Sequence, residues 1–81
     1  MKQTVWTEPV EVNVDRNTSN VVAGPFDALV LLTDNWPHQR GLNFVRARSA
    51  CRAALDGRKS AEEARRCFEE AVSEARLNRP H

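Results

Sequence analysis

Cys51 and Cys67 have the widest chemical repertoire in this sequence, because a thiol can form a disulfide, bind a metal or act as a nucleophile. Cys51 lies six residues before Gly57, and Cys67 lies seven residues after Ser60. Two antiparallel helices that meet between Gly57 and Ser60 would hold both thiols at a similar height, facing inward. A disulfide needs Cα atoms about 4.4–6.8 Å apart, whereas packed helix axes are about 8–10 Å apart. We favour buried, reduced packing thiols over a disulfide, and either over a metal or nucleophilic role.

The other potential donors do not complete a metal or catalytic site. Zinc would need two more ligands, and the two histidines, His38 and His81, lie at no recognised spacing from the cysteines. His38 has no second group at a spacing that would make it a general base. The sequence also contains no glycine-rich phosphate loop and no paired carboxylates. We therefore predict a protein that is not an enzyme, without catalytic residues, metal or cofactor.

Charge is segregated along the 81 residues. Residues 1–37 carry two basic and five acidic residues, a net charge of −3. Residues 38–59 carry six basic and one acidic residue, a net charge of +5, and residues 60–81 carry a net charge of −1. The middle of the chain is therefore basic, although the whole chain has a net charge of only +1.

The basic segment provides the candidate nucleic-acid contacts, which are Arg46, Arg48, Arg52, Arg58 and Lys59. Arg48 and Arg52 are four residues apart and share one side of a helix, whereas Arg46 points elsewhere. Convergent basic side chains on a short helix-turn-helix could bind phosphates. In the alternative that we favour, Arg48 and Arg52 lay their stems on the core and pair with carboxylates of a neighbouring element. Nucleic acid is therefore not the partner that the sequence favours.

The segment that begins at Ser60 is the clearest helix in the sequence. Its apolar residues recur at three- and four-residue steps, and charged residues occupy the opposite side. Ser60 and Glu63 have the spacing of a capping box. A second helix is predicted over Leu42–Asp56, and Gly57 is suited to a left-handed C-cap. The short connection between these helices predicts an antiparallel helical hairpin.

The N-terminal half predicts a β-hairpin followed by a helix. Val10, Val12 and Val14 alternate with polar residues, as in a half-buried strand. Turn-forming residues at positions 15–20 precede a short second strand at 21–23. We favour a further helix from Pro25 to no later than Trp36, because a proline follows Trp36. The alternative is a buried strand at Ala28–Leu32, since short apolar runs suit both structures. Its predicted apolar face consists of Phe26, Leu29, Val30, Leu32, Thr33 and Trp36.

These elements predict one α+β domain over residues 1–81, with an N-terminal antiparallel β-hairpin packed on three helices (ββααα). Its ordered core is expected to extend over about residues 4–77, and residues 78–81 are expected to be a frayed tail. A domain of this size buries about 60% of the surface of its unfolded chain. The predicted core anchors are Trp6, Trp36, Phe44, Cys51, Leu55, Cys67 and Phe68.

The compartment is predicted from what the sequence lacks. It contains no run of about 18 apolar residues, so we expect no segment that spans a membrane. Its first twelve residues, MKQTVWTEPVEV, lack the apolar core of a signal peptide. Together with the presence of only two cysteines, this predicts the reducing cytoplasm.

A resemblance to a known family extends over nearly the whole chain, from about Trp6 to Ala75. Its most specific part is a Trp-Pro…Gly…Cys…Leu-x-Gly series followed by an Ala-Arg…Phe helix. The residues that carry it are Trp6, Pro9, Val10, Ala28, Leu32, Trp36, Pro37, Gly41, Cys51, Leu55, Asp56, Gly57, Ala64, Arg65, Phe68, Ala71 and Ala75. The sequence resembles a small bacterial family of rhizobia and their relatives, domain-of-unknown-function family number 982. That family has no assigned activity, ligand or partner, so the resemblance implies a soluble fold and no catalytic residues.

The function that we predict from the sequence is a non-enzymatic cytoplasmic protein-interaction or regulatory module. Its partner is an unidentified protein, and the exposed edge of the hairpin offers a route to a homodimer. The alternative is a weak nucleic-acid-binding protein that uses the basic helix and the residues after it, 42–59. A cysteine-based enzyme is a more distant third hypothesis.

Overall fold

The chain folds as a β-hairpin followed by three α-helices, which confirms the predicted ββααα arrangement. The computed structural model describes residues 5–15, 18–34, 36 and 41–75. Gly41 at the start of the second helix lies beside Glu74 at the end of the third, so these helices run antiparallel. The elements are β1 (Val10–Asp15), β2 (Thr18–Val22), α1 (Pro25–Asp34), α2 (Leu42–Leu55) and α3 (Ala61–Glu74).

The hairpin follows the alternation of apolar and polar residues. Val10 pairs with Val22, and both side chains are buried. Glu11 pairs with Val21 on the opposite face of the sheet, and both are exposed. The register shifts between Val12 and the end of β1. Because side chains alternate between the two faces of a strand, burying Val10 and Val22 forces Val21 outward.

Trp6 fixes the segment before β1 onto the rest of the molecule. Its backbone N–H donates to the carbonyl of Ala23 at 2.7 Å, next to the end of β2. Its indole Nε1–H donates to the carbonyl of Ala61 at 2.8 Å, in the first turn of α3. The second bond gives the N–H of the buried indole a hydrogen-bond acceptor, and it joins two residues 55 positions apart.

The connection between α2 and α3 is determined by local sequence. Gly57 adopts a φ of 82°, the left-handed conformation that glycine tolerates best. The N–H of Gly57 donates to Ala54 O at 3.1 Å and that of Arg58 donates to Ala53 O at 2.8 Å, which is a Schellman motif. Ser60 then begins α3 with both hydrogen bonds of the predicted capping box. One helix is therefore stopped and the next one started within a few residues.

The core is organised around Phe68 of α3, which is fully buried. The ring centroids of Trp6 and Trp36 lie 5.7 Å and 5.9 Å from that of Phe68. Phe44 of α2 extends the cluster, 6.1 Å from Trp36. Small residues of α2 and α3, such as Ala47, fill the space between these helices. The cluster joins the stretch before β1, the tryptophan two positions after α1 and both later helices into one core.

Leu55 was predicted as a core anchor, and this prediction is wrong. Its side chain is 39% exposed at the last position of α2. Ala50 is buried in that helix instead, because the buried face of α2 follows positions 44, 47, 50, 51 and 54. The other predicted anchors are buried, except Cys67, which is half-buried.

The predicted apolar face of α1 is also wrong in part. The buried residues are Pro25, Ala28, Leu31 and Leu32, whereas Phe26 and Val30 are exposed. In addition, β2 begins at Thr18, within the segment predicted as a turn. The side chain of Val14 and the predicted tail at 78–81 lie outside the described residues.

Candidate interaction surfaces

An open groove borders the outer side of the hairpin, between β2 and α1. It has a volume of about 320 Å³. Three of its apolar side chains project largely into solvent, with exposures of 66% for Val21, 62% for Phe26 and 44% for Val30. We name it the β2–α1 groove, and it is lined by Asn20, Val21, Val22, Phe26, Asp27, Val30 and Leu31.

The β2–α1 groove is not evident from the sequence. Phe26 and Val30 were assigned to the core because α1 is apolar almost all round, so that periodicity alone cannot choose its buried face. One indication was available, however. Val21 and Val22 are adjacent in a strand, and only one of two adjacent side chains can face the core of a two-layer domain.

α3 packs beside the start of β1, on the other side of the hairpin from the groove. The Nε–H of Arg65 donates to the carbonyl of Glu8 at 2.8 Å, just before β1. The same guanidinium lies 3.2 Å from the Glu69 carboxylate and 3.8 Å from that of Glu8. Among the described residues, the sheet contains only β1 and β2. The outer edge of β2, which borders the groove, is therefore not paired with another described strand.

The structure brings together only two of the five candidate nucleic-acid contacts. Arg48 and Arg52 line a depression of about 270 Å³ on the outer side of α2, together with Val45 and Ser49. Both arginines are exposed, and within the described part of the chain neither forms an ion pair. The carboxylate pairing that we favoured for them is therefore not formed with any described residue.

The remaining three basic residues lie apart from this depression. Arg46 is two positions before Arg48, so it points to the opposite flank of the helix. Arg58 pairs with Asp56 at 3.1 Å, beyond the end of α2. Lys59 is exposed in the connection to α3.

The two cysteines are unpaired, and they differ in accessibility. Cys51 is buried, and Cys67 is half-buried. Burial raises the pKa of the Cys51 thiol to about 12, and the neighbouring Cys67 adds to the shift. A thiol that stays protonated at neutral pH is a poor nucleophile. This environment suits a packing side chain.

Potential metal ligands do not cluster in the described part of the chain. Over residues 5–15, 18–34, 36 and 41–75, no group of three or more His, Cys, Asp or Glu residues is placed to hold a metal ion. His38 and His81 lie outside these ranges. Within the same ranges, none of the helices has the length and apolar character needed to cross a lipid bilayer.

The chain matches the profile of a known protein family. Residues 8–79 match the profile of a family described as "Protein of unknown function (DUF982)". The match covers most of the chain, so the protein belongs to this family, as the resemblance indicated. No curated protein and no solved structure matches the chain.

Proposed function

We propose that this DUF982 protein is a non-enzymatic cytoplasmic interaction module that associates with a second copy of itself through the β2–α1 groove. The observation that supports this most directly is the uncharged outer edge of β2 beside the exposed side chains of Val21, Phe26 and Val30. Contiguous exposed apolar side chains are typical of interaction sites. The unpaired cysteines suit a reducing compartment.

The two edges of the sheet differ in how they discourage pairing. An edge strand exposes backbone N–H and C=O groups, and proteins protect such edges with charges, prolines, bulges or covering elements. β1 follows Pro9, contains Glu11 and has a register irregularity. The sequence of β2, TSNVV, contains no charged residue and no proline. The outer edge of β2 therefore carries neither a charge nor a proline that would oppose pairing.

A second copy is the occupant that this edge suits best. A two-fold axis beside β2 would pair it antiparallel with its counterpart and convert two hairpins into one four-stranded sheet. Isolated two-stranded hairpins are marginal in water, so a larger sheet stabilises both copies. β2 carries no charge, so pairing it with its counterpart brings no charged residues of the two strands together. Val21, Phe26 and Val30 of both copies would then share one apolar interface.

The mass of the protein in solution tests this proposal. Sedimentation equilibrium across a range of concentrations should give a mass that rises from the monomer value of 9.2 kDa toward twice that value. Val21→Lys and Phe26→Lys should each keep the protein monomeric, because each substitution places a charge in the apolar interface. Val45→Lys is the matched control, since Val45 is also exposed (57%) but lies on α2.

The experiment has two outcomes that contradict the proposal. One is a wild-type protein that remains monomeric at every concentration. The other is a dimer that survives Val21→Lys and Phe26→Lys but is lost in Val45→Lys, which would place the interface on α2. Far-ultraviolet circular dichroism confirms that each variant remains folded.

A further inference from the structure

The outer side of α2 is a second exposed surface, which is not part of the proposed dimer interface. α2 carries three arginines and no acidic residue along its 14 positions. Leu42 and Val45 on the same side are 68% and 57% exposed, although both are large apolar residues. We name this surface the α2 outer face, and it consists of Leu42, Val45, Arg48, Ser49 and Arg52.

These residues form one continuous stripe. Leu42, Val45, Ser49 and Arg52 follow one another at steps of three and four residues, which keeps them on one side of a helix. Arg48 lies beside Ser49 and Arg52 on the flank of that stripe. The apolar side chains occupy the N-terminal half of the face, and the two guanidinium groups occupy its C-terminal half.

We propose that the α2 outer face binds an acidic amphipathic helix of another protein. Carboxylates of that helix pair with Arg48 and Arg52, which have no ion-pair partner among the described residues. Its apolar side chains pack on Leu42 and Val45. This inference is independent of the dimer, because it concerns a different surface.

A helix fits this surface better than an extended strand does. The backbone N–H and C=O groups in the interior of α2 are hydrogen-bonded within the helix, so they cannot pair with an added strand. Association must then use side chains at three- and four-residue spacing, which is how one helix packs on another. At a rise of about 1.5 Å per residue, α2 offers a face of about 21 Å, long enough for several turns of a partner helix.

Protein fits this surface better than nucleic acid. Only Arg48 and Arg52 converge, because Arg58 is already paired with Asp56. Phosphate binding gains nothing from exposed leucine and valine side chains. α3, which packs beside α2, also carries five glutamates. A nucleic-acid duplex is wide enough to bring its phosphates near these carboxylates, which would repel them. A single partner helix covers a narrower stripe of α2.

Synthetic peptides of the length of α2 test the proposal. One peptide has leucines on one side and glutamates on the other, and the matched peptide replaces each glutamate with lysine. Fluorescence anisotropy measures the affinity of each peptide and of a short DNA duplex, and ¹H–¹⁵N spectra map the residues they contact. We expect the glutamate peptide to bind at least tenfold more tightly than the lysine peptide and to perturb the α2 outer face.

Charge reversal supplies the decisive variant. Arg48→Glu with Arg52→Glu should invert the preference, so that the lysine peptide binds more tightly than the glutamate peptide. Arg66→Glu is the matched control and should leave the preference unchanged, because Arg66 is exposed on α3, away from the α2 outer face. If the double reversal unfolds the protein, Arg48→Gln with Arg52→Gln should still abolish the preference for glutamate.

Several results would overturn the proposal. These are equal affinity for both peptides, no binding of either, or perturbations confined to β2 and α1. A duplex that binds more tightly than the glutamate peptide, and is lost in the double variant, would identify nucleic acid as the ligand. A change in the sedimentation mass of the double variant would show that a second copy covers this face instead.

Discussion

The carboxylate of Glu74 lies against Gly41, so that a Cβ atom at Gly41 would lie 2.6 Å from Oε2 of Glu74. Gly41 is the N-cap of α2 and has no side chain to cap it. A carboxylate from the far end of α3 therefore lies beside the N-terminus of α2, where a negative charge is favourable. The absence of a side chain at Gly41 leaves the space for this contact.

Gly41→Ala should destabilise the protein by about 0.5–1 kcal/mol, because alanine is a poor N-cap and its methyl group displaces Glu74. Gly41 has a φ of −86°, so backbone strain adds nothing. Glu74→Ala should cost about 0.3–1 kcal/mol. In urea denaturation, the double variant should cost less than the sum of the two single variants. Additive costs would contradict the contact, and Glu70→Ala, on the exposed side of α3, should add normally to Gly41→Ala.

Phe68→Ala should destabilise the fold by about 3–5 kcal/mol, because it empties the centre of the aromatic cluster. Folded proteins have a total stability of about 5–15 kcal/mol, and so small a domain lies near the lower end of that range, so a large fraction of the variant should be unfolded. Leu55→Ala is the matched comparison and should cost about 1 kcal/mol or less, since Leu55 is largely outside the core. Thermal unfolding followed by circular dichroism measures both. A melting temperature near that of the wild type for Phe68→Ala would contradict the described core.

Glu63 should make α3 sensitive to acid. Its carboxylate accepts hydrogen bonds from the Ser60 backbone N–H and hydroxyl, each at 3.2 Å. These bonds, with Lys59 nearby, lower the pKa of Glu63 below its ordinary value of 4.5. The stability that they add is therefore present above pH 4.5 and is lost as the pH falls below 4.5 through the folded-state pKa.

Glu63→Gln keeps a side chain that can complete the capping box but cannot titrate. The wild type should be more stable than this variant near about pH 7, and the difference should shrink by about pH 3. Urea denaturation at both pH values measures it. A difference that stays constant between the two values would show that the Glu63 charge contributes nothing. Glu62→Gln, on an exposed neighbour outside the capping box, is the control.

The two thiols should differ in their reaction with a bulky thiol reagent. Cys51 is buried and its pKa is raised to about 12, so it should not react until the protein unfolds. Cys67 is half-buried, so it should react in the native protein, though more slowly than in denaturant. Mass spectrometry of Cys51→Ala and Cys67→Ala assigns each reaction. Rapid labelling of Cys51 in the folded protein would favour a redox or catalytic role.

The sequence predicts those parts of the fold that depend on local chemistry. Ser60 with Glu63, and Gly57 with its positive φ, define the α2–α3 connection through neighbouring residues alone. The buried face of α1 could not be predicted in the same way. Phe26, Val30 and Leu31 are all apolar, and only the packing of the whole domain decides that Leu31 is buried while the other two remain exposed.

The candidate surfaces were harder to predict for the same reason. The sequence indicated that Arg48 and Arg52 share a helix side, and the structure places them in one depression. It did not indicate that Leu42 and Val45 would remain exposed on that side. Exposure of an apolar residue is a property of the assembled surface, since it depends on which neighbours cover it.

The aromatic cluster determines what intrinsic fluorescence can report. The chain contains two tryptophans and no tyrosine, and both indole rings lie against Phe68. Emission therefore comes from one place, where the N-terminal stretch, the residue at position 36 and α3 converge. Formation of the α2–α3 hairpin alone would leave both chromophores in water. A blue shift in stopped-flow refolding would then time the arrival of distant segments on α3, whereas far-ultraviolet dichroism would follow the helices themselves.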